Sequence, residues 1–359
     1  MIGSPKRYGT CSTSNQVMSS PCVARIATRR SPLALQQASE VADLLRSASS
    51  ELAVELLTFD TAGDTRADLT LAAIGGQGVF VKEVQAAVLD HRADIAVHSA
   101  KDLPSLGSED LCIAAVPKRR DPRDALIGSR LDDIPPGGLI ATGSIRRRAQ
   151  LAWLRPDLTF AELRGNIGTR LRKARRFDAT VLATAALERL GMPVRPNEIL
   201  APAIMLPQAG QGALAVECRS EDGAMRRLAE RIDHPGSRLC LESERAFLRE
   251  VGGGCNLPVA AYARISHTDA GDLTTSPAGS GSEHRLGNPL AHSLFLECLI
   301  ASADGRRVLR HKASATLPKS SPLAACIAVA RALGVEVAHA LVEEHGGNAI
   351  LADIGPLQQ

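Results

Sequence analysis

The first two-thirds of the chain alternates short apolar runs with amphipathic stretches, and no other feature limits the fold as strongly. Apolar runs of about four to eight residues suit strands, and a spacing of about 3.6 residues suits helices. This pattern predicts strands at 23–28, 54–59, 95–98, 112–116, 139–142, 158–162, 180–183 and 214–217. Helices are predicted between them at 32–47, 81–91, 144–155, 167–175 and 185–190. Strands alternating with helices specify an α/β sheet architecture. Segments 119–122 and 206–212 break the pattern and are candidate crossings between two α/β lobes. A predicted helix over 239–250 ends in Gly252-Gly253-Gly254-Cys255. The remainder reads as a smaller α+β unit, with strand-like runs at 259–265 and 294–301 and a helix over 323–344. Residues 266–292 are rich in Gly, Ser and Pro and read as a loop insertion. No internal sequence repeat is visible.

Charge separates the function classes. Basic residues exceed acidic ones by only 3, so nucleic acid is not an expected partner. Only 7 of the 42 basic residues are Lys. Arg binds carboxylate or phosphate through a planar fork and stays charged when partly buried. The arginines recur at predicted strand ends, where open α/β sheets collect ligands. The first strand runs into Thr28-Arg29-Arg30-Ser31 and a helix opening at Pro32. Another runs into Thr142-Gly143-Ser144-Ile145-Arg146-Arg147. A third leads into Leu163-Arg164-Gly165-Asn166 and on to Arg170, and Arg189 closes a helix. A Ser-capped helix N-terminus beside Arg favours anions. Together these sites describe a long cleft suited to a ligand bearing many carboxylates or phosphates.

The sequence 95–102 ends an apolar run with His98, Ser99, Lys101 and Asp102. Asp102 reads either as a surface ion pair or as a carboxylate that steadies a transient cation or moves a proton. His98 reads as a satisfied core histidine. Gly253-Gly254-Cys255 presents a thiol on a glycine turn. Gly75-Gly76-Gln77-Gly78-Val79-Phe80 lacks the spacing and ending of a nucleotide-binding loop, which leaves a mobile loop with Phe80 folding over the cleft. The eight cysteines show no metal-like spacing, so no metal site is expected and a reducing compartment is. Residues 1–22 are Ser/Thr-rich without an apolar core and read as a disordered extension. No apolar run reaches the ~20 residues of a membrane span on this reading.

Taken together the motifs resemble the porphobilinogen deaminase (hydroxymethylbilane synthase) family. The resemblance rests on RIATRRSPLALQQA, GGQGVFVKE, ADIAVHSAKDLPS, DPRDALIG, GSIRRRAQL, LRGNIGTRL, LPQAGQGALAVECR and GGGCNLPV, in the family's order from Arg25 to Pro258. It implies two α/β lobes like type II periplasmic binding proteins and a smaller α+β domain that carries the cofactor cysteine. The expected division is a first domain over 23–118 with a return segment at 213–232, a second over 119–212 and a third over 233–359. The resemblance implies a dipyrromethane primer in thioether linkage to Cys255 and porphobilinogen as substrate. It makes Asp102 the catalytic carboxylate. Substrate and cofactor positions carry over to Arg25, Arg29, Ser31, Phe80, Ser99, Lys101, Thr142, Ser144, Arg146, Arg147, Arg164, Arg170, Ala183, Arg189 and Gln211. Arg29 and Arg189 are expected to grip the incoming substrate. Arg146, Arg147 and Arg164 are expected to hold the cofactor or the growing chain. A cytoplasmic monomer acting without membrane is expected. Ala73, Gln77 and Gly143 depart from the family pattern: the first two remove cations from the loop, and Gly143 removes a hydroxyl.

Two other readings fit parts of the pattern. A two-lobed receptor for an organic polyanion explains the arginines but has no use for the thiol. A cysteine hydrolase pairing Cys255 with His98 predicts a thiol open to alkylation.

Overall fold

A computed structural model describes residues 23–61, 78, 81–253, 257–267, 292–318 and 321–353. Two five-stranded sheets and one three-stranded sheet organise the described residues. The first sheet begins with β1 (Val23–Arg29), which leads through α1 (Pro32–Ala48) to β2 (Ala53–Phe59). Helix α2 (Lys82–Leu89) precedes β3 (Ile95–Ser99), and β4 (Leu111–Ala115) follows a 3₁₀ turn, Ala100–Asp102. The second sheet holds β5 (Asp124–Ile127), β6 (Leu139–Ala141), β7 (Thr159–Ala161), β8 (Ala179–Ala183) and β9 (Glu198–Leu200). Its helices are α3 (Ile145–Leu154), α4 (Ile167–Ala174) and α5 (Thr184–Arg189). The chain then returns as β10 (Leu214–Arg219) to complete the first sheet, followed by α6 (Gly223–Glu230).

The two sheets share one plan, although no sequence repeat announces it. Their strand orders are β2-β1-β3-β10-β4 and β7-β6-β8-β5-β9. In each, the strand beside the outer edge runs antiparallel and arrives from the other lobe. The lobes are therefore joined by two crossing segments, and the carboxyl ends of β1, β3, β6 and β8 open toward the helix N-termini, where ligands collect in such sheets. Apolar side chains from β1, β3 and β10 pack on α1 through Val41 and Leu45. Leu126, Ile140, Val181 and Leu151 do the same work in the second lobe.

Helix α7 (Pro235–Glu250) ties all three parts together. His234 caps it by accepting from the Ser237 N–H at 3.1 Å. Glu244, fully buried, accepts from Arg119 Nη1 at 2.6 Å, from the Gly210 N–H at 2.6 Å and from the Ala263 N–H at 2.8 Å. One carboxylate thus fixes both crossing segments to the third sheet, β11 (Val259–His267), β12 (His292–Ala301) and β13 (Val308–Thr316). Helix α8 (Leu323–His339), a π-helical turn (Ala340–Glu344) and α9 (Gly347–Asp353) close the chain.

The stretch Leu323–Glu344, 22 residues, is long and apolar enough by length and composition to cross a bilayer, which corrects the expectation that no run reaches that length. Here Ala330, Leu333, Val337 and Leu341 sit in the core between α7 and the third sheet. The sequence also left β5, β9, β13 and α6 unread. Residues 1–22 lie outside the described residues, as does most of the 266–292 insertion.

Candidate active site

Strand β1 delivers Arg29 to the rim of the first lobe. The Ser31 hydroxyl accepts from the Ala34 N–H at 3.3 Å and caps α1, with Pro32 supplying the fixed φ of a first helical position. Ser31 is thereby occupied at the cap. Strand β3 ends in Ser99, and the 3₁₀ turn bends Asp102 back over the strand end. The Asp102 carboxylate lies 4.0 Å from Arg29 Nη1, a long ion pair, and its side chain is 29% exposed. Arg29, Gln37, His98, Ser99 and Asp102 line a small cavity with Ala34, Val81 and Val97. Gln37 Nε2 donates to Ser99 Oγ at 2.7 Å. His98 is buried 3.1 Å from Glu217 Oε2, which also accepts from Gln85. Burial would raise the Glu217 carboxyl, and His98 and Gln85 outweigh it and hold it low.

Lys101 points the other way, toward the second lobe. Its Nζ donates to Gln211 Oε1 at 3.2 Å. Burial and then the neighbouring Arg147 push its ammonium down to about 8, against the pull of Asp102 and Asp124. Gln211 continues the chain of contacts, donating through Nε2 to Asp124 Oδ1 at 2.8 Å and to the Pro122 carbonyl at 2.7 Å. The amide of Gln211 therefore bridges the lobes at their crossing.

Asp124 is the acid that sequence reasoning missed. It heads the fully buried strand β5 and is itself fully buried. Arg146 Nη2 donates to it at 2.9 Å and Arg147 Nη2 at 2.7 Å. Burial would raise its carboxyl, but Arg146 and Arg147 dominate and keep it well below the usual carboxylate range. Both arginines are turned into the wall of the site. Arg146 Nη1 donates to the Leu206 carbonyl at 2.6 Å, and Arg147 Nη1 to the Val181 carbonyl at 3.0 Å. Arg146 Nε is buried without a partner. The signal for Asp124 was present: an acid opening an apolar run must be paired if the run is buried.

The other basic positions divide. Arg170 donates through Nε to the Gly165 carbonyl at 2.7 Å and lies within electrostatic reach of Asp102, Arg147 and Arg164. Burial and Arg147 push its pKa to about 10, so it remains a cation at neutral pH. Arg164 pairs with the exposed Glu162. Thr142 and Ser144 form the turn into α3: Thr142 Oγ1 accepts from the Ser144 N–H at 3.2 Å, and Ser144 caps the helix. A Cβ added at Gly143 would stand 2.9 Å from the Leu163 carbonyl oxygen, so the missing hydroxyl accompanies a closer approach of the two strand-end loops. Ala183 ends β8 directly opposite Asp124. Arg189 is buried and held by Glu40. Arg25 is not brought to the site. It sits near the start of β1, bound to Asp94 at 2.8 Å, and the strand carries it away from the end that Arg29 occupies. Phe80, Cys255, Ala73 and Gln77 lie outside the described residues.

A family model described as "Porphobilinogen deaminase, dipyromethane cofactor binding domain" matches residues 24–227, and a second, "Porphobilinogen deaminase, C-terminal domain", matches residues 238–343. The curated "Porphobilinogen deaminase" of Brevibacillus brevis is 38% identical over 335 residues, covering 92% of this chain and 97% of that one. Among solved structures, the methionine-binding protein MetQ is similar over 59% of this chain and 90% of its own, with 15% identity and a TM-score of 0.36. The aliphatic sulphonate binding protein SsuA from Escherichia coli is similar over 64% of this chain and 70% of its own, with 14% identity and a TM-score of 0.33.

Proposed function

The chain belongs to the porphobilinogen deaminase family, and from that premise we propose how its residues divide the work of the reaction. The activity is that of a hydroxymethylbilane synthase. Four porphobilinogen molecules are condensed with loss of ammonia on a covalent dipyrromethane primer, and water then releases the linear tetrapyrrole.

The donors present suit such a primer. Each pyrrole bears an acetate and a propionate, and the wall offers Lys101 and Arg170, the capped turn Thr142–Ser144 and the unpartnered Nε of Arg146. When bound, the group would supply a terminal pyrrole with a free α-carbon, to which the first unit is joined. Cys255 is the residue we propose to hold it through sulfur.

The observation that carries the reading is the setting of Asp102. It is a carboxylate in a basic wall, partly open to the cavity, and among the described residues its ion pair, to Arg29, is a long one. In that position it steadies positive charge on a pyrrole nitrogen as ammonia leaves porphobilinogen, and it takes up the proton released once the new bond has formed. Arg29, Lys101, Arg164 and Arg170 bind the carboxylates. Arg146 and Arg147, committed to Asp124, keep the wall rigid and positive, and Arg189 takes the incoming substrate. We read the protein as a cytoplasmic monomer acting without nucleic acid or membrane.

Intact mass tests the anchor. Active protein is expected to carry a covalent excess of one dipyrromethane, and limiting porphobilinogen is expected to add further pyrrole steps. Cys255→Ser should lose both. An unmodified mass in active protein would overturn the assignment.

A further inference from the structure

Glu40 stands on α1 one turn beyond Gln37, on the same face, and Gln37 lines the Asp102 cavity. Its carboxylate reaches across to the second lobe. Glu40 Oε2 accepts from Arg189 Nε at 3.1 Å, and Arg189 is the last residue of α5. Glu40 also accepts from Arg120, on the crossing segment, at 3.2 Å through Nη2 and 3.3 Å through Nε. The Gly212 carbonyl completes the knot, accepting from Arg189 Nη2 at 3.1 Å and from the Arg120 N–H at 3.2 Å.

The three side chains differ in exposure, and the difference has a consequence. Arg189 is 3% exposed, Glu40 17% and Arg120 38%. A guanidinium as enclosed as that of Arg189 cannot be left without an anion, because an unpaired buried charge is strongly destabilising. A ligand carboxylate that takes the place of Glu40 keeps Arg189 paired. A pyrrole acetate or propionate presents the same chemical group as the glutamate. Glu40 is not stranded by the exchange, since Arg120 holds it from the solvent side.

We propose that Glu40 is a positioning residue that holds Arg189 in reserve and is exchanged for a carboxylate of the incoming porphobilinogen, with Arg120 retaining Glu40 when Arg189 turns away. This rests on the reading of Arg189 as the grip for substrate. Because Glu40 and Arg189 belong to different lobes, capture of substrate releases a tie between the lobes.

The test is the KM for porphobilinogen, measured on the full chain carrying its cofactor. Glu40→Gln should lower KM about threefold, because Arg189 then meets substrate without a competitor, and should also lower the melting temperature, because the enclosed Arg189 loses its anion. Arg120→Gln should raise KM by a similar factor, since Glu40 then has Arg189 as its sole partner in the knot. A merely structural knot would move KM in the same direction in both variants. An unchanged or raised KM for Glu40→Gln overturns the proposal. If Glu40→Gln disrupts folding, the exposed Arg120→Gln variant still decides, because an unchanged or lowered KM there also overturns it. Arg189→Gln separates the two layers: a raised KM upholds the grip, and an unaltered KM removes the grip and the proposal with it.

Discussion

Asp102 and Asp124 are carboxylates in the same Arg-rich neighbourhood, one at the end of β3 and one at the start of β5, and their surroundings give them opposite capacities. Asp124 is fully buried and saturated by Arg146, Arg147 and Gln211. Its charge is neutralised by contacts already made, so it has nothing left for a ligand. Asp102 is partly open and meets Arg29 only at 4.0 Å. Its charge remains available to a cation arriving in the cavity. On the proposed reading, chemistry needs the under-coordinated acid, and the fold needs the saturated one.

Substitution separates the two roles most sharply at Asp102. Asp102→Asn keeps the shape and removes the charge. It should lower kcat by about 10²–10⁴-fold while leaving the free energy of unfolding within about 0.5 kcal/mol. Steady-state rates and denaturant titration check both halves, and near-normal turnover would erase the distinction drawn above. Asp124→Asn should do the reverse. Two buried guanidiniums would lose their anion, at a cost of about 3–5 kcal/mol, seen as an earlier denaturant midpoint. The sign with pH follows from the direction of the shift. Asp124 is held well below its unfolded value, so its stabilisation is complete above about pH 4 and fades as the solution is acidified further. The gap between native protein and variant should narrow at low pH. A fully stable Asp124→Asn protein with no turnover would make Asp124 the working acid instead.

The same contrast explains what the sequence made legible. Asp102 follows a buried strand within a run of ionisable residues, a local pattern that can be read directly. The α/β alternation and the strand-end arginines were equally local, and β1, β3, β6 and β8 emerge within a few residues of their predicted bounds. Asp124 depends on partners 22 and 23 residues away in the chain and on Gln211 at 87. No spacing rule encodes such distances. Arg25 was carried over from the family resemblance, whereas strand geometry, at about 3.3 Å per residue, separates it from Arg29 by more than a side-chain length and sets it beside Asp94. The commitment of Arg189 to Glu40 joins residues 149 apart and was likewise invisible.

Between the two aspartates lies Lys101, whose titration offers the finest test of the comparison. Burial, and next the positive field of Arg147, lowers its ammonium from 10.5 to about 8. The charged form is the one that binds a carboxylate, so it is present below pH 8 and lost above. Since kcat/KM reports groups of the free enzyme, it should fall as pH rises through 8, by about fourfold at pH 8.5 if neutral Lys101 binds nothing. Porphobilinogen itself carries an amine, so the limb needs a control. Lys101→Arg places a guanidinium that does not titrate in this range, and the limb should flatten whatever the level of activity. A limb that persists in Lys101→Arg belongs to the substrate or to another group. In that case Lys101 serves the inter-lobe bridge with Gln211 and not the cavity.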